Sequence, residues 1–394
     1  MDRGRAVRIF ICTGEVSGDL QGAILVESLF QQAARQGIDL QIVALGGAQM
    51  ARAGAELLAD TTAIGSVGLW ESLPFVWPTL QIQRRAKRYL RENPPDLVVA
   101  IDYMGPNLAI ANFVKRHLPQ VKVIYYIAPQ EWVWSLGDRT TSEIVRLCDR
   151  ILAIFPEEAR YYREKGASVT WVGHPLLDRQ SQWPARDRAR EKWAIAPETP
   201  AIVLLPASRI QEIRYLLPPL FEAARRIQAA LPEARFYVPL SLGTYREAIE
   251  GAIARYGLQA TVVDREDTPW AIACADLALT KSGTVNLEIA LAGVPQVVLY
   301  RVSPLTAWIA RHLLRFSIPF MSPPNLVLMK SVVPELLQEE ATPENIAREG
   351  LQLLRDRETR EAMFADYARM KEALGEVGVC DRAAKFLLQW AGDR

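Results

Sequence analysis

Short apolar runs separated by glycine, proline and polar residues recur along this chain of 394 residues. One series lies at 8–13, 41–45, 96–101, 121–127, 150–155 and 169–172, and a second at 201–205, 235–238, 261–263, 277–279 and 296–300. Each is short enough for a buried strand, and the sequence after several of them has amphipathic, helical spacing, as at 20–35 and from Glu212 onward. The predicted fold class is therefore α/β. A strand, a glycine-containing loop and a helix at the start of a chain is the way a doubly wound domain opens. Between the series lies 177–200, rich in Arg, Asp, Gln, Trp and Pro without a strand signal, which reads as a partly helical linker. The predicted division is 1–176, the linker 177–200, a second domain 201–365 and terminal helices 366–394.

The most informative stretch is 277–300. It reads as a strand, the turn Ser282-Gly283-Thr284, a helix over 285–292 closed by Gly293, and a strand at 296–300. A strand feeding a helix through such a turn leaves the first helical N–H groups unpaired and attractive to phosphate. Gly283 lets a ligand approach the backbone, and the hydroxyls of Ser282 and Thr284 suit phosphate oxygens. Glu288 lies one turn into the helix on the side of Thr284, where its carboxylate can accept both hydroxyls of a ribose. An ordinary helix cap gives the same tripeptide, so these assignments are expectations.

Other positions of the same kind follow. Gly14-Glu15-Val16-Ser17-Gly18-Asp19 departs from the dinucleotide fingerprint, so no nicotinamide cofactor is inferred; Ser17 is a candidate substrate or UDP contact, and a tight βα turn with Ser17 or Asp19 as cap is the ordinary alternative. Asp102 emerges at the carboxyl end of its strand, where α/β domains hold ligands. His174 is either a ligand contact or a turn residue. Arg209 follows the 201–205 strand, placed to hold a phosphate bidentately. Two segments join large apolar residues to basic ones: 65–91, with Trp70, Trp77, Arg84, Arg85, Lys87, Arg88 and Arg91, and 302–320, with Trp308, Arg311 and Arg315. Each suits either a surface that dips into an anionic bilayer or a core helix with a solvated basic face.

Composition narrows the classes. Two cores are the default at this length, and 50% hydrophobic with 23% charged residues is ordinary for a folded soluble protein. A net charge of +1 argues against nucleic acid as the main partner. Cys12, Cys148, Cys274 and Cys380 are scattered and read as reduced core thiols, and with His117, His174 and His312 as the histidines no zinc site is expected. The N-terminal apolar run is too short for a secretory signal, and Glu71, Pro74 and Pro78 make 61–83 a poor spanning helix, so a cytoplasmic location is expected.

Taken together, several motifs resemble the lipid-A-disaccharide synthases. They are Gly14 to Asp19; Gly46-Gly47 with Met50 and Gly54; Val67-Gly68 with Glu71; the 129–134 segment; Gly173-His174-Pro175; Ser208-Arg209 with Glu212; Ser282-Gly283-Thr284 with Glu288; and Pro324-Asn325. They occur in order over nearly the whole chain. The resemblance implies a GT-B glycosyltransferase with two Rossmann-like domains facing a cleft, the sugar nucleotide held mainly by the C-terminal one and the last helix returning to the N-terminal one. It implies transfer of 2,3-diacylglucosamine from its UDP form to 2,3-diacylglucosamine 1-phosphate, with inversion, giving a β-1,6 disaccharide and UDP, and no metal or organic cofactor. Acylated substrates also imply a peripheral position at the inner face of the cytoplasmic membrane, through 65–91 and 302–320. A homodimer is left open.

The same resemblance assigns Ser208, Arg209, the Ser282 to Thr284 turn and Arg301 to the phosphates, Glu288 to the ribose, and Asn325, as a catalytic and binding residue, to the cleft near pyrophosphate or sugar. The family's run Asp-Ala-Pro-Asp-Phe-Asn is here Asp102-Tyr103-Met104-Gly105-Pro106-Asn107. Gly105 thus stands where the favoured base would be, leaving Asp102 and Glu15 as candidate bases. Two other readings of the residues stay open: a transferase or epimerase acting on another UDP-sugar, and a non-catalytic protein that binds a UDP-sugar or glycolipid.

Overall fold

The structure, a computed structural model, describes residues 6–14, 16–62, 73–133, 137–207, 210–303, 306, 308 and 318–392. It divides into two units, Met1–Asp178 with Leu374–Arg394, and Arg179–Ala373.

The first unit is built on a seven-stranded parallel sheet of β1 (Val7–Cys12), β2 (Leu40–Gly46), β3 (Glu56–Asp60), β4 (Leu97–Ile101), β5 (Lys122–Tyr126), β6 (Arg150–Ala153) and β7 (Val169–Trp171), in the order β3-β2-β1-β4-β5-β6-β7. Parallel strands covered on both faces are continuously apolar. Accordingly, all five residues of β4 are buried, as are the last four of β1 and β5. Phe10, Val98, Val123 and Tyr125 share one core with Ala86 and Leu90 of helix Leu73–Glu92 and Ile110 and Val114 of helix Met104–His117.

The C-terminal helix Val379–Gly392 is part of this unit and packs on helix Val16–Gln36 and β1. Asp178 fastens its start, accepting from the N–H groups of Gly378 (2.5 Å), Val379 (3.2 Å) and Cys380 (2.8 Å). Its end is held by cations on aromatic faces: the Arg150 guanidinium lies 5.5 Å from the Phe386 ring and 5.1 Å from that of Trp390.

The second unit has a six-stranded parallel sheet of β8 (Ala201–Leu205), β9 (Arg235–Pro239), β10 (Ala260–Val263), β11 (Leu277–Lys281), β12 (Gln296–Tyr300) and β13 (Glu335–Leu337), in the order β10-β9-β8-β11-β12-β13. Residues 179–200, expected as a linker, are folded into this unit. Helix Arg186–Lys192 occurs here, and Arg190 is 7% exposed. Its guanidinium meets the Asp276 carboxylate at 3.1 Å and donates to the carbonyls of Cys274, Ala196, Pro197 and Thr199. The polar composition that suggested a linker is that of a layer which caps backbone carbonyls.

All four cysteines carry free thiols, and Cys12, Cys274 and Cys380 are buried. Among the described residues no helix is long and apolar enough to cross a membrane, and no cluster of His, Cys, Asp or Glu could hold a metal ion.

Candidate functional site

In each sheet the order of strands reverses its direction of growth at one place, β1/β4 in the first and β8/β11 in the second. Crevices beyond the carboxyl ends of such a strand pair are where doubly wound sheets take ligands.

At β8/β11 a turn follows β11 and leads into helix Val285–Leu291, but the N–H groups expected to be open to phosphate are in part committed, that of Ser282 donating to the Leu299 carbonyl at 2.8 Å. The turn's shape is set from below. The Asn286 side chain accepts from the Gly283 N–H at 2.7 Å and donates to the Lys281 carbonyl and to Gln296, both at 3.1 Å. Gln296 in turn donates to the Asn286 carbonyl (2.9 Å) and the Tyr367 hydroxyl (3.2 Å). Asn286 and Gln296 are both fully buried, and such a satisfied network fixes one conformation. The Gly283 N–H is thereby committed within the protein, whereas Ser282, Gly283 and Thr284 are all partly exposed. Lys281 lies beneath the turn, 3.7 Å from the Glu212 carboxylate.

Glu288 is 13% exposed at its side chain and is ion-paired with Arg179, which donates through Nη1. Burial raises its carboxyl above the ordinary range, and the Arg179 charge and hydrogen bond oppose that rise.

Ser282 donates its hydroxyl to the Met321 carbonyl at 2.8 Å, tying the turn to the following loop. That loop is organised by Glu335, whose carboxylate accepts from the N–H groups of Met321 (2.9 Å) and Ser322 (2.7 Å), the Ser322 hydroxyl (2.6 Å) and Asn325 (2.8 Å). Asn325 was expected in the cleft; here it is fully buried in helix Pro323–Leu328. Besides Glu335, its amide nitrogen donates to the Val333 carbonyl, and its oxygen accepts from the N–H groups of Val332 and Val333. With both ends committed it acts on a ligand only by shaping the loop, which corrects the expectation of direct contact. Arg301 is exposed just beyond β12. Ser208 and Arg209 lie outside the described residues.

At β1/β4, Asp102 and Tyr103 follow β4 with positive φ of 48° and 35°, a conformation that side chains rarely adopt. The turn is held in place: the Asp102 N–H donates to the Ile127 carbonyl (3.0 Å), and the Asp102 carbonyl accepts from Asn107 (2.8 Å) and the Tyr125 hydroxyl (2.7 Å). Strain kept by several bonds at a crevice is a mark of function. Tyr103 fills the place of a side chain at Gly14, since a Cβ added there would lie 1.9 Å from its ring. Gly105 is exposed in the first turn of helix Met104–His117, with open space where a side chain would be.

Glu15 lies outside the described residues. Ser17 is in the first turn of helix Val16–Gln36 and half-buried. Asp19, expected as a local cap, instead accepts from the N–H groups of Gly47 (2.8 Å), Gln49 (3.1 Å) and Met50 (3.1 Å), and so caps the next helix, Ala48–Arg52. Gly47 has no room for a Cβ, which would sit 2.7 Å from Asp19.

Beside Asp102, the loop after β5 is braced by Glu158, whose carboxylate accepts from the N–H groups of Ala128 (3.0 Å), Ile154 (2.8 Å) and Phe155 (3.2 Å). Burial pushes its carboxyl up to about 7 despite these bonds. His174 is buried and neutral, held at about 3 by desolvation, with Nδ1 accepting from the Leu176 N–H. It is the turn residue of its two readings.

Three residues of this framework, Arg179, Glu158 and Glu335, were not foreseen. No sequence signal marks them, because each works through backbone groups or a partner distant along the chain.

A family model described as lipid-A-disaccharide synthetase matches residues 9–389. The lipid-A-disaccharide synthase of Gloeothece citriformis is 56% identical, covering 98% of this chain and 100% of that protein. That of Synechocystis sp. is 55% identical over 98% of each. Among solved structures, UDP-GlcNAc 2-epimerase from Neisseria meningitidis bound to UDP-GlcNAc matches with a TM-score of 0.66 at 12% identity, over 98% of this chain and 100% of that one. The calicheamicin glycosyltransferase CalG4 matches at 0.59 and 17%, over 99% of each. At such identities these two likenesses show the fold alone: two Rossmann-like parallel-sheet units, the GT-B fold expected from the sequence.

Proposed function

The chain belongs to the lipid-A-disaccharide synthase family, and from that premise we propose how its residues carry out the transfer. It is a glycosyltransferase that makes the lipid A disaccharide. The donor is 2,3-diacylglucosamine in its UDP form and the acceptor 2,3-diacylglucosamine 1-phosphate. The acceptor 6-hydroxyl attacks the anomeric carbon opposite UDP, its proton passes to a carboxylate, and the bond to the UDP oxygen breaks. The products are the β-1,6 disaccharide 1-phosphate and UDP.

In this reading Asp102 takes the proton, because it stands at the β1/β4 crevice on a turn braced by Tyr125 and Asn107. Glu15 remains the second candidate. Ser282 and Thr284, with Gly283 letting the ligand approach the backbone, and Ser208 and Arg209 after β8 and Arg301 after β12, hold the phosphates and stabilise the departing UDP. Glu288 holds the ribose, and Asn325 shapes the loop to which Ser282 is tied. The observation that carries the nucleotide assignment is the position of Glu288, four residues beyond Thr284 on the helix that leaves the β8/β11 crevice.

The acyl chains bring the enzyme to a membrane surface, the inner face of the cytoplasmic membrane. In helix Leu73–Glu92, Val76, Trp77 and Leu80 are exposed, Trp77 to 60%, with the Arg84 guanidinium 5.8 Å from the Trp77 ring. Large exposed apolar groups beside Arg84, Arg85, Lys87 and Arg88 fit an anionic bilayer better than water. Trp308 is likewise 53% exposed, while most of 302–320 lies outside the described residues.

The test is incubation of the purified protein with UDP-2,3-diacylglucosamine, with and without 2,3-diacylglucosamine 1-phosphate, followed by mass spectrometry. Disaccharide and UDP formed only with both substrates support the reading. Binding of UDP without disaccharide from this pair would overturn it in favour of another UDP-sugar.

A further inference from the structure

Glu288 is the one carboxylate near the β11 turn that the site needs charged, yet it sits where charge is costly. A buried carboxyl relaxes by taking up a proton, and the protonated form is a weaker acceptor with one of its two oxygens turned into a donor, so it holds ribose hydroxyls less well. The structure offers one remedy among the described residues: Arg179, donating through Nη1 to Oε1 and leaving Oε2 unengaged by it.

Arg179 is itself held. Its neighbour Gln180 donates to the Leu291 carbonyl at 2.6 Å, at the end of the helix that carries Glu288. The arginine is therefore fixed within its own unit by the residue that follows it. It is 30% exposed, so its other guanidinium donors remain open. The Lys281–Glu212 pair belongs to the strand end, and Arg179 is the charged group that acts on Glu288.

We infer that Arg179 is a positioning residue for nucleotide recognition, holding the Glu288 carboxylate ionised and aimed so that its free oxygen receives the ribose of a uridine nucleotide. This rests on the reading of Glu288 as the ribose acceptor. Arg179 need not touch the nucleotide for this role, and its loss acts through the partner it leaves behind.

The test is calorimetric titration of UDP into the full-length protein and into Arg179→Gln, Arg179→Lys and Glu288→Gln at several pH values between about 5.5 and 8. Each affinity is expressed relative to the unaltered protein at the same pH, which removes the titration of UDP itself. Arg179→Gln is expected to bind about tenfold or more weakly near neutrality, the scale of a lost hydrogen bond to a charged group. The deficit should shrink as pH rises and the unsupported carboxyl ionises. Arg179→Lys should recover most of the affinity, and Glu288→Gln should be weak at every pH.

If Arg179→Gln binds as tightly as the unaltered protein while Glu288→Gln does not, the positioning role is wrong and the ribose reading stands. If neither substitution changes affinity, the ribose reading itself fails. An Arg179→Gln deficit that does not vary with pH, together with a lowered melting temperature, would assign Arg179 to folding alone and overturn the inference.

Discussion

The side-chain amide of Asn325 donates to the Glu335 carboxylate at 2.8 Å, and with that bond the residue has no group left for a ligand. A residue that sequence comparison would place in a binding cleft thus belongs to the frame around it. Asn325→Ala would strand the N–H groups of Val332 and Val333, both buried, at about 1 to 3 kcal/mol for each unsatisfied group. The expected result is a loss of about 3 kcal/mol in urea unfolding. A loss under about 0.5 kcal/mol would return Asn325 to the list of direct contacts.

Glu158 and His174 give the first unit opposing pH dependences. A carboxyl raised in the folded state to about 7 from 4.5 contributes stability that is complete below 4.5 and lost as pH rises through 7. A histidine lowered to about 3 from 6.5 contributes stability that is complete above 6.5 and lost as pH falls towards 3. Between 4.5 and 6.5 the two slopes oppose each other. Glu158→Gln removes the first, so its melting temperature should rise with pH in this window more steeply than that of the unaltered protein. Parallel curves would show that Glu158 does not titrate there.

Arg190 ties Asp276 to the carbonyls of residues 196, 197 and 199 from a buried position. Removing one partner of a buried ion pair costs about 3 to 5 kcal/mol, and the lower end applies because Arg186 still faces Asp276. Arg190→Ala should therefore destabilise the protein by about 3 kcal/mol in denaturant unfolding. No change would make this segment the loose connection that its composition suggested.

The proposed membrane contact through helix Leu73–Glu92 has its own signature. Trp77→Ser with Leu80→Ser should reduce co-sedimentation with vesicles containing anionic lipid about tenfold or more, since inserting such a side chain is worth about 1.5 to 3 kcal/mol. Replacing Arg84, Arg85 and Arg88 by Gln should weaken binding mainly at low salt, because each basic group contributes about 1 kcal/mol near an anionic surface. Binding unchanged in both variants would leave these residues an ordinary exposed face.

What the sequence made legible follows from burial. Strands β4, β5, β8, β11 and β12 stand out because parallel strands with covered faces are unbroken apolar runs. The edge strands β3 and β13 were missed: Glu56–Asp60 is half-exposed and Glu335–Leu337 has three residues, so neither carries that signal. The strand, turn and helix around Ser282 to Thr284 were legible from local spacing, which also sets Glu288 one turn into the helix. Asp19 was misread because its partners lie 28 to 31 residues away. Arg179 was hidden because its value lies in Glu288, 109 residues further on.

Whether Asp102 takes the proton from the attacking hydroxyl is decided by the turnover of Asp102→Asn at saturating donor and acceptor, with UDP affinity measured on the same sample. Loss of a general base lowers kcat by about 100- to 10,000-fold, and that fall is expected here with UDP affinity unchanged. A kcat within about threefold of the unaltered enzyme would contradict it and pass the role to Glu15.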